Sequence, residues 1–187
     1  MALRIALITG STRPGRKSLD VARWVHAIAA KRGDAQYDIV DIAEYDLPLL
    51  DEASPPMKMN YAHEHTKKWS AAIASYDGFI FVTPEYNHGP AAALKNAIDY
   101  LYREWNHKAC GFVSWGSAGG VRAVEQLRQV MGEIMVADVR AQVALSLAAD
   151  FEGYAVFKPQ AHHEKSVNTM LDQVLAWSGA LKGLRTP

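Results

Sequence analysis

The chain has 187 residues, 49% of them apolar, and its acidic and basic side chains balance to a formal net charge of zero. That length suits one domain with a sizeable core, and the neutral balance gives no reason to expect nucleic acid as a partner. No apolar run approaches the roughly 18–20 residues of a membrane span, and the single cysteine, Cys110, excludes an internal disulfide framework.

The N-terminus enters a strand at once, Leu3 to Ile8, with no leader-like segment before it, so a cytoplasmic setting is expected. From Ser18 to Lys31 the apolar residues Leu19, Ala22, Val25 and Ala29 recur at helical spacing. Tyr37 to Ile42 alternates as a second strand, and a long loop rich in Pro, Asp and Ser follows from Glu44 to Pro56. A helix is predicted over Ala62 to Tyr76, with Trp69 and Ile73 inward, and a central strand over Gly78 to Val82. Ala91 to Trp105 reads as a helix with Leu94, Ile98 and Leu101 on one stripe. A strand over Ala109 to Trp115, a helix over Val121 to Met135, a strand near Ala141 to Leu147 and a helix over Lys165 to Leu181 complete the chain. Strands alternating with helices predict an α/β fold, a three-layer doubly wound five-stranded parallel sheet of flavodoxin-like size. No repeat or linker interrupts it, so residues 1–187 are read as a single domain.

Two loops that leave the ends of predicted strands carry the chemistry, since open α/β sheets bind ligands there. The first is Gly10-Ser11-Thr12-Arg13-Pro14-Gly15-Arg16-Lys17-Ser18. Its backbone N–H groups open a helix and can cradle an anion; Ser11, Thr12 and Ser18 add hydroxyls, and Arg13 and Arg16 can pair with phosphate oxygens. Gly10 and Gly15 have the spacing of a nucleotide P-loop, but Arg16 stands at the lysine position and Lys17-Ser18 come one residue late. The other reading of this loop is a basic turn capped by Ser18.

The second loop is Thr83-Pro84-Glu85-Tyr86-Asn87-His88-Gly89. Pro84 lacks an N–H, so the chain is expected to leave the sheet there. Glu85, Tyr86 and Asn87 then offer backbone groups, and the Tyr86 ring a wall, for a flat ligand with a polar edge. The bland alternative is a surface turn. Gly116-Ser117-Ala118-Gly119-Gly120, after the next strand, can approach the same ring. A phosphate loop beside a ring loop points to a mononucleotide cofactor, with flavin mononucleotide (FMN) the candidate.

Other residues suggest less. His63 and His65 are two apart on a predicted helix and cannot share a face, and no histidine pair has the i, i+4 spacing of a helical zinc site, so no metal is expected. Cys110 reads as a core residue, and Glu85 as a backbone contact rather than a general base, so no catalytic side chain is assigned.

Taken together, G-S-T-R-P-G-R, T-P-E-Y-N-H-G, L-K-N-A-I-D-Y-L-Y-R-E-W and S-W-G-S-A-G-G resemble the NADPH-dependent FMN reductase family over roughly residues 3 to 145. Asp46 to Glu52 and His65 to Trp69 resemble it too. The resemblance implies Ser11, Arg13 and Ser18 around the FMN phosphate, with Arg16 beside them. Pro84, Glu85, Tyr86 and Asn87 would line the isoalloxazine, and Gly116, Ser117, Gly119 and Gly120 would approach it. It also implies NADPH or NADH as co-substrate, with hydride passing to flavin N5 and then to a second small acceptor (a quinone, free flavin, azo dye or metal oxyanion) in ping-pong order. A homodimer or homotetramer would follow, with Tyr102, Arg103 and Trp105 as candidate contacts. The rival is a flavin electron-transfer module without its own NAD(P)H oxidation, against which the neutral charge counts.

Overall fold

A computed structural model describes residues 2–185. In chain order the main elements are β1 (Arg4–Thr9), α1 (Ser18–Ala30), β2 (Gln36–Asp41), α2 (Glu64–Ala74), β3 (Gly78–Tyr86) and β4 (Gly89–Pro90). There follow α3 (Ala92–Asp99), β5 (Lys108–Gly116), α4 (Val121–Glu133), β6 (Val136–Ser146), β7 (Phe151–Glu152), β8 (Val156–Phe157) and α5 (His163–Leu181). Five strands run parallel in the order β2-β1-β3-β5-β6, with short β4 antiparallel to β3, and β7 and β8 form a separate hairpin. This is the flavodoxin-like doubly wound fold.

The alternation of β1 shows how the layers form. Ile5 and Leu7 point to one face, where Val21, Val25, Met170 and Val174 of α1 and α5 cover them. Ala6 and Ile8 point to the other, under Trp69, Ile73, Leu94, Ile98, Leu127 and Met131 of α2, α3 and α4. Both faces are apolar because both are buried.

Three of the expected elements begin or end more than two residues from where the sequence places them. The helix expected to run to Trp105 ends at Asp99, and indole N–H groups satisfy two of its last carbonyls: Trp69 donates to Ala97 (2.7 Å) and Trp105 to Ile98 (3.1 Å). Trp105 is therefore fully buried and cannot form a contact between copies. Strand β6 begins five residues before the expected Ala141, at Val136, through a bulge in which two steps on β5 (Cys110 to Phe112) span four on β6 (Asp138 to Gln142). Arg128 ion-pairs Asp138 and donates to the Val139 carbonyl (2.9 Å), while Gln173 accepts from Ala141 N (2.9 Å), satisfying groups the bulge frees. Strand β3 does not stop at Val82 but continues through Pro84 to Tyr86. Its pairing with β1 ends at Val82, so the proline lacks an N–H only where no neighbour on that side needs one.

Helix α2 starts at Glu64, which leaves His63 outside it and lets the His63 and His65 rings stack at 5.2 Å, contrary to the expectation that they diverge. His65 Nε2 lies 3.0 Å from Asp51, yet among the described residues no group of His, Cys, Asp or Glu is arranged to hold a metal ion. Among the same residues no helix is long and apolar enough to cross a membrane.

After β6 the chain is anchored by Asp150, a buried carboxylate that accepts from Ser146 N (2.7 Å), Gln160 N (2.9 Å) and His163 Nε2 (3.1 Å). Phe151 and Phe157 of the following hairpin pack 5.2 Å apart, against Trp115 and Trp24 respectively. Removing the carboxylate orphans buried donors, so Asp150→Ala should cost about 3 kcal/mol in urea unfolding and expose residues 151–157 to proteolysis. A loss under about 1 kcal/mol with unchanged proteolysis would show that the aromatic packing holds the hairpin alone.

Candidate active site: a cleft between two loops and a hairpin

The β1–α1 loop, the end of β3 and the end of β5 surround one cleft of about 410 Å³, within the range of small-molecule sites. Of the residues expected to bind the cofactor, Arg13, Arg16, Pro84, Glu85, Tyr86 and Gly116 line it. Ser11 and Ser18 lie buried beneath the loop, where Ser18 Oγ donates to the Ser11 carbonyl (3.5 Å). Lys17, not Ser18, holds the position before α1, and its side chain makes no capping bond. Asn87 stands outside the cleft lining, as do Ser117, Gly119 and Gly120.

The two loops touch directly. Ser11 Oγ and Tyr86 Oη are 3.0 Å apart, and the Arg13 guanidinium sits 5.8 Å from the centre of the Tyr86 ring. Asn87 and His88 have φ of 49° and 73°, the left-handed pair of a two-residue hairpin turn, which sends the chain back into β4. Gln126 of α4 donates to the His88 carbonyl (2.7 Å) and ties that turn down.

Glu85 does more than offer its backbone. Its carboxylate is buried, ion-pairs the Arg122 guanidinium and accepts from Arg122 N (3.2 Å) at the head of α4. Burial alone would raise its pKa, but the guanidinium and the helix N–H groups outweigh that and hold it below the ordinary glutamate range. The charge thus locks the end of β3 to the head of α4. Gly120 has to be glycine: its φ is 73°, and a Cβ would fall 2.7 Å from Ser114 Cβ and 2.8 Å from Trp115 N.

The sequence pattern marks Asp41 only as a strand residue. It accepts from Thr9 Oγ1 (2.8 Å) and Ala43 N (3.1 Å) and ion-pairs Arg16. Arg16 is therefore tethered to the sheet, while its Nε is buried without a partner. Trp115, Leu147, Tyr154 and Ala155 also line the cleft. The last two come from the β7–β8 hairpin, whose turn, Gly153 and Tyr154 at φ of 58° and 60°, was signalled only by one glycine between two phenylalanines.

The residues present fit a phosphorylated, flat ligand. Exposed Arg13, the helix-opening amides and the unpaired Arg16 Nε serve an anion, and Tyr86, Trp115 and Tyr154 give aromatic walls.

A sequence profile described as NADPH-dependent FMN reductase matches residues 3–150. The chain belongs to that family. It is 42% identical over 170 residues to an NAD(P)H-dependent FMN reductase of Nectria sp, covering 87% of this chain and 85% of the relative. It is 37% identical over 169 residues to another from Schizosaccharomyces pombe, covering 89% of this chain and 84% of that one. In fold it is similar to FerB, a flavoenzyme NAD(P)H:(acceptor) oxidoreductase from Paracoccus denitrificans, with a TM-score of 0.75 at 18% identity over 95% of this chain and 98% of that one.

The depressed Glu85 pKa fixes the sign of a pH effect. A carboxyl whose folded pKa lies below its unfolded value stabilises the fold above the unfolded pKa and loses that contribution as pH falls through the folded one. Glu85→Gln should therefore cost about 1 kcal/mol at pH 7, a modest figure because Arg122 is partly exposed. The difference from wild type should shrink in urea unfolding near pH 3. An equal loss at both pH values would mean that shape, not charge, is what the position needs.

Proposed function

We propose that this protein is an FMN-dependent NAD(P)H oxidoreductase that passes reducing equivalents from NADPH or NADH to a small second acceptor. The single observation that carries the reading is the meeting of Arg13 of the anion loop and Tyr86 of the ring loop across one cleft. FMN, when bound, would supply the hydride acceptance and release that no side chain here can perform. Arg13 and the amides of residues 11–18 would hold the phosphate, with Ser11 and Ser18 shaping the loop from below. Pro84, Glu85, Tyr86 and Asn87 would face the ring, with Gly116, Ser117, Gly119 and Gly120 approaching from the β5 side.

The chain's own contribution is to bind, orient and exclude water. Tyr86 Oη shares a hydrogen bond with Ser11 Oγ, so ring wall and phosphate loop are set together. Glu85 stays ionised against Arg122, which supports its role as a structural anchor rather than a proton carrier. One cleft serving both partners in turn supports a ping-pong order.

We further propose one domain over residues 1–187, of which the two terminal extremities lie outside the described residues, and a cytoplasmic setting. Exposed Leu49 (84%), with Leu50 beside it, supports a homodimer or homotetramer through the 46–51 loop rather than through buried Trp105.

Denatured protein should release FMN, and anaerobic NADPH alone should bleach the bound flavin at a rate compatible with turnover. Initial rates at several fixed acceptor concentrations should give parallel double-reciprocal lines. Bound flavin that NADPH cannot bleach would favour the electron carrier, and intersecting lines would require a ternary complex.

A further inference from the structure

A second cavity, of about 670 Å³, opens at the opposite end of the sheet, where β5 begins rather than ends. It lies between the end of α2, the turn at 102–108 and the C-terminal turn at 184–185. Four basic side chains line it: Arg103, His107, Lys108 and Arg185.

The charge there is poorly balanced. The one carboxylate in the lining, Glu104, is buried and engaged by Tyr61 Oη (2.9 Å) and Ser70 Oγ (2.5 Å). Asp77 behind it is taken by Arg185 (2.8 Å) and Lys182 (3.5 Å). Lys108 is buried to 4% exposure and donates only to carbonyls at the end of α2, Ile73 (2.9 Å) and Ala74 (3.3 Å). Its ammonium has three N–H groups, and no carboxylate lies within ion-pair reach among the described residues. Burial pulls its pKa down to about 7, Arg185 pushes the same way, and Asp77 and Glu104 oppose. Arg103 is exposed and likewise has no carboxylate partner among the described residues.

One further feature suggests a ligand with an apolar part. The rim exposes Met57 (53%), Met59 (44%) and Leu184 (58%), large apolar side chains grouped beside the cations.

We infer that this cavity binds an amphipathic anion, its carboxylate-like head against Lys108 and Arg103 and its apolar tail across Met57, Met59 and Leu184. The site is separate from the cofactor cleft, so the inference does not depend on the flavin reading. Its residues take no part in the mechanism above.

The probe is octanoate, compared with acetate, which lacks the tail, and 1-octanol, which lacks the charge. Calorimetric titration of the full chain, with and without saturating FMN, should show octanoate binding at least about tenfold tighter than either comparison compound in both states. Lys108→Met, which keeps the stem and removes the charge, should weaken octanoate about tenfold or more. Arg103→Gln, at an exposed position that leaves the fold intact, should weaken it severalfold and carries the test should Lys108→Met not fold. Equal binding of octanoate and 1-octanol would overturn the inference, as would an unchanged octanoate affinity in Arg103→Gln and in any folded Lys108→Met. Competition between octanoate and FMN would also overturn it, by placing the probe in the cofactor cleft.

Discussion

Strand β3 stays paired with β5 after β1 has ended. Val82 is the last residue opposite Thr9, while Thr83 and Pro84 go on to pair with Ser114 and Trp115. This overhang opens space above the end of β1, and the β1–α1 loop turns across it, with Gly10 N bonded to the Val82 carbonyl (2.7 Å). The cleft is therefore a consequence of strands of unequal length. The Glu85–Arg122 ion pair closes the assembly by joining the overhanging strand to the helix that follows β5. Ligand sites at the carboxyl ends of parallel strands follow this logic, because the backbone amides there are no longer used by the sheet.

Electrostatics then divides the labour between two arginines that look alike in sequence. Arg16 is neutralised by Asp41, which also caps the turn after β2 and bonds Thr9, so it ties the anion loop to the sheet. Arg13 is exposed, lies against the Tyr86 ring and has no carboxylate partner among the described residues, which leaves its charge available to a ligand. A guanidinium with no competing carboxylate is the stronger phosphate partner, since nothing has to be displaced before it binds.

The layers of the sheet were legible because their causes are local: β1, β3 and β5 are apolar on both faces, and the helices carry clear stripes. The loops were legible as loops, and six of the twelve expected cofactor residues line one cleft. What escaped was non-local. The end of α3 is capped by indoles of Trp69 and Trp105, distant or beyond the helix, and the reach of β3 past Pro84 depends on where β1 stops. The bulge in β6 needs Arg128 from α4 and Gln173 from α5 to be affordable, and no pattern within 136–146 announces them. The hairpin that adds Tyr154 to the cleft is anchored by Asp150 through partners on both sides in sequence, including His163.

On this reading the β1–α1 loop is a phosphate cradle, and Arg13, with no carboxylate partner among the described residues, is its cation. It is tested most directly by comparing FMN with riboflavin, which has the same ring and no phosphate, in titrations of the apo-protein. Wild type should prefer FMN by about a hundredfold or more, from charge-assisted bonds worth roughly 1.5–3 kcal/mol each. In Arg13→Ala that preference should fall by at least about tenfold, while riboflavin affinity stays near that of wild type. Equal affinity of wild type for the two flavins, or an equal loss of both on substituting Arg13, would contradict it.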